Sequence, residues 1–200
     1  MKELIEKAIG NILTDYKKNE KRYTTEGDVV AHLFCELQKV FEKREEIILH
    51  FQVRPFYKDE ESKVRVIKEG KWIEQPQANA GSVVDLAILT MGENDKYWRE
   101  AFQKAMKDQY KNKYKNKNGL KYWRILSYPV EAFLAAIEIK VRVDKNKKRI
   151  FEDIDKLYCL KSKNPNCLSY ILVLDRYASE NILRSIEERA KEKEVTLRKM

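Results

Sequence analysis

The chain has little of what staples or interrupts a fold. Its 200 residues include three cysteines, two histidines, six glycines and four prolines. Cys35, Cys159 and Cys167 stand far apart and form no CxxC, and an odd count argues against a disulfide framework. They suit a reducing compartment, as plain core or surface thiols. His32 and His50 are too few and too far apart to support a zinc site. So little Gly and Pro excludes collagen-like and low-complexity character. No run approaches the ~20 apolar residues that cross a bilayer, so no membrane span is expected. The first twenty residues have neither an apolar h-region nor a small-residue cleavage site, so the expected location is the cytoplasm.

Charge is what the chain has in plenty: 36% of its residues are charged and the net charge is +9. The excess is concentrated. Residues 104–124 hold eight basic residues (Lys104, Lys107, Lys111, Lys113, Lys115, Lys117, Lys121 and Arg124) and one acid. Residues 140–149 hold six (Lys140, Arg142, Lys145, Lys147, Lys148 and Arg149) and one acid. The rest of the chain is mildly acidic. Two basic blocks on such a body form a polyanion footprint, which makes the two blocks outside Lys140 candidate nucleic-acid contacts. Tyr110, Tyr114, Tyr122 and Trp123 are interleaved with the first block and would offer faces to unpaired bases. A solvated lysine face on a helix is the plain alternative.

Apolar spacing predicts a helix over 2–19 and a second over 26–44, started by Thr25 with Asp28 in a capping-box arrangement. A strand follows over 47–56, then a hairpin over 63–75 turning at Glu69-Gly70, and a strand over 81–90. A lysine-rich helical insertion is expected over about 91–132. Beyond it come a strand over 133–143, a helix over 149–161, a strand over 167–175 and a closing helix over 178–194, with a frayed tail. No linker divides two cores. The pattern predicts one α/β domain over 1–200, a mixed central sheet flanked by helices.

The informative residues are acids inside apolar runs. Asp85 interrupts VVDLAIL and Glu138 interrupts LAAIEIKV. An acid buried in a central strand must be protonated, paired or bound to a cation. Glu138 and Lys140 share one face of their strand, Arg142 continues the row, and Ile137, Ile139, Val141 and Val143 take the other face. Glu26 projects along the apolar stripe of Val30, Leu33 and Leu37, whereas Glu36 lies about 80° away, on the flank. Converging carboxylates suit Mg²⁺ or Mn²⁺, which bind phosphate oxygens and activate water. A lysine beside them would orient that water or help deprotonate it, aided by a pKa lowered through burial. Each piece also has a plain reading: Glu26 as a helix-dipole partner, Glu138–Lys140 as an ion pair, Asp85 as a turn cap.

Taken together, the helix TTEGDVVAHLFCEL with Glu26, the strand GSVVDLAIL with Asp85, the strand AAIEIKV with Glu138 and Lys140, the helix IFEDIDKLYCLK and the strand CLSYILVLD resemble the PD-(D/E)xK nuclease superfamily. The likeness spans about 24–175, with Val84 where the name-giving motif has Pro. It implies a restriction-endonuclease-like αβββαβ core with an added helix at each end. It also implies hydrolysis of a phosphodiester, in DNA, with catalytic residues Glu26, Asp85, Glu138 and Lys140. Asp85, Glu138 and the Ile139 main-chain carbonyl would ligate Mg²⁺ or Mn²⁺, and Lys140 would position the attacking water. Asp153 and Lys156 are candidates to face the site, though solvated helix residues are the expectation for both. A homodimer is a further possibility that family relatives suggest. Rival readings are a non-catalytic nucleic-acid-binding module, and a regulatory subunit whose basic blocks contact an acidic partner protein.

Overall fold

The computed structural model describes residues 1–61, 63–74, 82–90, 127–141, 143 and 147–200. Helix α1 (Lys2–Asn19) buries Ile5, Ala8, Ile9, Ile12 and Tyr16, one stripe at helical spacing. Helix α2 (Glu26–Phe41) starts at the predicted capping box. The Asp28 N–H donates to Thr25 Oγ1 at 3.2 Å, and the Thr25 N–H donates to Asp28 Oδ2 at 2.8 Å. The helix buries Val29, Leu33, Leu37 and Phe41.

The strands are β1 (Ile47–Lys58), β2 (Val64–Lys68), β3 (Lys71–Glu74), β4 (Val84–Thr90), β5 (Ser127–Pro129), β6 (Phe133–Val141), β7 (Leu168–Leu174) and β8 (Thr196–Lys199). Helix α3 (Lys147–Lys163) joins β6 to β7, and α4 (Glu180–Glu192) joins β7 to β8. The sheet runs β3-β2-β1-β4-β6-β7-β8, with β5 beside β1. Neighbours β1, β4 and β6 are antiparallel, while β6, β7 and β8 are parallel. The αβββαβ order implied by the resemblance is therefore present as α2, β1, β4, β6, α3, β7. Gln52, at φ 54, lies where β1 changes partners. Residues up to Val53 pair with β4, and those from Arg54 onward pair with β5 and β2.

Both sheet faces are covered. On one, α1 and α2 pack Ile9, Leu33 and Leu37 over Leu86, Ile88, Ile137, Ile139 and Leu172. On the other, α3 and α4 pack Ile150, Ile154, Leu157, Ile186 and Ala190 over Ala87, Ala136, Ile171 and Val173. Fully burying each such aliphatic side chain contributes about 1.5–3 kcal/mol. Strands covered on both faces explain the apolar runs that made Asp85 and Glu138 conspicuous.

Two expectations need correction. The tail does not fray: β8 pairs with β7, and Met200 N–H donates to Val173 O at 3.2 Å. Arg198 also grips the Glu6 carboxylate through Nε at 2.7 Å and Nη2 at 2.6 Å. Residues 127–132, expected within the helical insertion, form β5 and a 3₁₀ turn (Val130–Ala132). Residues 91–126 lie outside the described residues, yet β4 and β6 are direct neighbours across that interval.

The β2–β3 hairpin turns at Glu69-Gly70, as expected, and docks on α3. Cys159 Sγ donates to Gly70 O at 2.8 Å, and Trp72 Nε1 donates to Cys159 O at 3.0 Å. Gly70 has φ +71, and a Cβ there would meet Asp155 Cβ at 2.5 Å. Backbone and helix both demand glycine. Gly70→Ala is expected to destabilise the protein by more than ~1 kcal/mol, read as a lower urea midpoint. An unchanged midpoint would show that the hairpin is not docked.

Candidate active site

Four elements deliver charged side chains to one end of the sheet. Glu26 is the first residue of α2, three residues before the first of its buried positions, Val29. Asp85 is the second residue of β4. Glu138 and Lys140 alternate with Ile137 and Ile139 on β6, so they leave the α1–α2 face to those isoleucines. Asp153 and Lys156 are three residues apart on α3.

The amine of Lys140 is the hub. Its Nζ stands 3.0 Å from Asp153 Oδ2, 3.7 Å from Asp85 Oδ2, 3.8 Å from Glu26 Oε2 and 3.9 Å from Glu138 Oε2. Lys156 lies deeper. Its Nζ is 2.6 Å from Glu138 Oε1 and 2.8 Å from Asp153 Oδ1, and it donates to Val83 O at 2.6 Å. The antiparallel register of β4 and β6 ends at Leu86↔Ile137. Just beyond, Asp85 Oδ2 accepts the Ile139 N–H at 2.8 Å, in the manner of a strand-end cap. Side-chain exposure rises from 1% for Glu138 to 25% for Asp85 and 46% for Glu26, so the cluster opens toward the start of α2.

Four carboxylates face two amines, and burial and charge together shift the proton affinities of most of them. Burial lifts Glu138 well above the usual carboxylate range, and Lys156 offsets only part of this. Burial also raises Glu26, against Lys140. For Lys140, burial opposes the charge, but Glu138, Asp153, Asp85 and Glu26 outweigh it and hold the pKa above that of free lysine. Lys156 is raised in the same way by Glu138 and Asp153. Burial pushes Asp153 upward, yet Lys156 and Lys140 together bring it below its usual range.

The structure thus brings together Glu26, Asp85, Glu138 and Lys140. It corrects two expectations about their neighbours. Lys140, expected to have a pKa lowered by burial, has it raised instead by its four carboxylate neighbours. Asp153 and Lys156 are not solvated: Lys156 is 5% exposed, and both touch the cluster. A signal for them was present. Positions 153, 156, 157 and 160 follow the i, i+3, i+4, i+7 rule, which places a charged pair inside the stripe completed by Leu157 and Leu160. Of the expected basic contacts, Lys147, Lys148 and Arg149 are exposed on the first turn of α3. Lys147 Nζ donates to Ser185 Oγ at 3.1 Å, and Lys148 Nζ pairs with Glu152 at 3.9 Å. Lys104, Lys107, Lys111, Lys113, Lys115, Lys117, Lys121, Arg124, Arg142 and Lys145 lie outside the described residues.

Among the described residues, no three acid, histidine or cysteine side chains already surround a single point as metal ligands, because Lys140 Nζ stands between them. The donor chemistry nevertheless fits a hard divalent cation. The oxygens are carboxylates, two of them in excess over the amines, and one belongs to a carboxylate whose charge is penalised by burial.

Lys156→Met would leave Glu138 buried without its nearest cation. Such a break costs about 3–5 kcal/mol, measurable by urea denaturation. The double variant Glu138→Gln/Lys156→Met is expected to recover part of that loss. Additive losses in the two backgrounds would show that the pair is not coupled.

No family model and no curated protein matches the chain. The solved structures similar to it include two of NucC in a cAAA-bound form. The one from P. aeruginosa ATCC27853 has a TM-score of 0.45 and the one from E. coli MS115-1 a TM-score of 0.43. Each is 8% identical, and each alignment covers 98% of this chain and 73% of the other.

Proposed function

We propose that the protein is a metal-dependent nuclease that hydrolyses phosphodiester bonds, with DNA as the first substrate to test. One observation carries the reading. Lys140 Nζ lies 3.0 to 3.9 Å from carboxylates supplied by α2, β4, β6 and α3, so an acid helix, an Asp strand and an E-x-K strand converge on one point. The sequence order alone resembled that of the PD-(D/E)xK nucleases, and convergence in space is what the chemistry requires of it.

In this reading Asp85 and Glu138 hold Mg²⁺ or Mn²⁺, with the Ile139 carbonyl as a further ligand. Such an ion would supply a water of lowered pKa and offset the charge on a five-coordinate phosphorus. The protein's own groups do the positioning. The Ile139 N–H fixes Asp85, and Lys156 fixes Glu138 and Asp153. Lys140, kept protonated by its neighbours, donates hydrogen bonds and orients the attacking water instead of removing its proton. Glu26, the most exposed acid, stands where a substrate-side water or a second cation would be held.

The test is cleavage of supercoiled, linear, single-stranded and branched DNA and of RNA, in Mg²⁺, Mn²⁺ and EDTA. The native protein is expected to cut in the presence of metal, and Lys140→Ala to be slower by about 100-fold or more. Unimpaired cleavage by that variant would sink the mechanism. Lys140 also offsets part of the cluster's negative charge, so circular dichroism in Mg²⁺ must show the variant folded.

Divalent metal should also stabilise the native state. At a hundred times its Kd, the cation contributes about 2.7 kcal/mol, seen as a rise in Tm. The rise should vanish in Glu138→Gln. A rise that survives there would move the ion elsewhere.

A further inference from the structure

We propose that a cationic cleft at the end of α1 binds the sugar-phosphate backbone of a nucleic-acid strand leading to the carboxylate site. The cleft has a volume of about 500 Å³ and is lined by Lys17, Lys18, Asn19, Lys21, Arg22 and Arg176. Among the described lining residues, five are cationic, the sixth is an amide and none is acidic. Lys17, Lys18, Lys21, Arg22 and Arg176 are all exposed. Among the described residues, Lys17, Lys18 and Lys21 make no ion pair, and Arg22 reaches Asp15 only at 4.0 Å. The last turn of α1 accounts for Lys17 and Lys18 through the helix dipole. It does not account for Lys21 and Arg22, in the 3₁₀ turn beyond the helix (Glu20–Arg22), or for Arg176, which arrives from beyond β7.

The fold ties this cleft to the end of the sheet that carries the acids. Arg176 Nη2 donates to the Lys17 carbonyl, and Tyr16 OH donates to Leu174 O at 3.3 Å. Leu174 pairs with Val141, and Val173 pairs with Lys140. Arg176 lies in the turn just past β7, three residues beyond Val173, so the chain between them spans at most about 11 Å. On the other flank, Arg22 precedes Glu26 by four residues.

Charge and shape favour a backbone over a small ligand. The carboxylate cluster holds two more acids than amines, so by itself it repels a phosphate chain. Cations within about a Debye length, ~8–10 Å, counter that repulsion. The cleft is open, its side chains are long and flexible, and no aromatic residue lines it. Such a surface tracks phosphates without reading bases, so binding should be independent of sequence.

The inference rests on the proposed nuclease reading for the course of the strand, but binding can be tested without cleavage. In EDTA, the anisotropy of labelled 20-nucleotide DNAs would be titrated with the native protein and with Lys18→Gln/Lys21→Gln/Arg22→Gln across a salt series. The variant is expected to bind about 10-fold more weakly or worse, with the salt slope reduced by about 2 to 3. Lys18→Arg/Lys21→Arg should bind like the native protein. The triple Lys2→Gln/Lys7→Gln/Lys43→Gln, with the same charge loss elsewhere, should keep the native slope. Equal slopes for the native and cleft variants, or an equal loss in the remote triple, would overturn the proposal. Cleavage in Mg²⁺ is scored separately. Binding that depends on the cleft without cleavage supports the cleft and counts against the nuclease. Cleavage with no dependence on the cleft does the reverse.

Discussion

The ionic lattice around Lys140 and Lys156 is the constraint on which the end of the sheet depends. Glu138 is almost fully buried in a strand covered on both faces. Left alone there, its charge would cost several kcal/mol. Lys156 reaches it from α3 and simultaneously holds Asp153 and the Val83 carbonyl just ahead of β4. Lys140 then links the same acids to Asp85 and Glu26. One helix on each side of the sheet is thereby tied to the central strands through charge, where the hydrophobic layers end.

That arrangement explains why the lysines and the acids shift as they do. The surrounding carboxylates raise the proton affinity of the two lysines, and burial raises that of Glu138 and Glu26. The lysines gain from this and stay charged, while Glu138 and Glu26 suffer. Asp153 escapes because both amines lie within 3.0 Å of it and it is less deeply buried than Glu138. The cluster is thus held together but not neutral. A residual preference for a cation is built into the lattice, which is the physical sense in which it suits a divalent ion.

Much of this was legible in the sequence, for a specific reason. Asp85 and Glu138 stand out because the residues on either side of them are apolar, and Lys140 follows from the two-residue period of β6. Helix α2 announced itself through Thr25 and Asp28. Asp153 and Lys156 were harder to see because α3 is amphipathic and charged, with Asp155 and Glu152 on the same helix, so an acid or lysine there is the ordinary case. Only their coincidence with the stripe of Leu157 and Leu160 distinguishes them. The tail was misjudged for another reason. β8 is four residues long, and its stability comes from β7 and from the Glu6–Arg198 pair, a contact 192 residues apart along the chain.

Lys140 also shows why folding and chemistry at such a site cannot be separated by inspection. In the sequence Lys140 stands out only as the lysine that shares a strand face with Glu138. The structure gives it four carboxylate neighbours and 12% exposure. Removing its charge takes away one of the two amines that hold the cluster together, and four carboxylates then share Lys156 alone. A divalent cation at the same oxygens would relieve that repulsion, so the metal and Lys140 are partly interchangeable as counter-charges but not as chemical groups. An ammonium can orient water and donate hydrogen bonds, whereas a metal ion also acidifies the water it binds. A site containing both can fold with the amine alone and, in the reading proposed above, act only when the ion joins it.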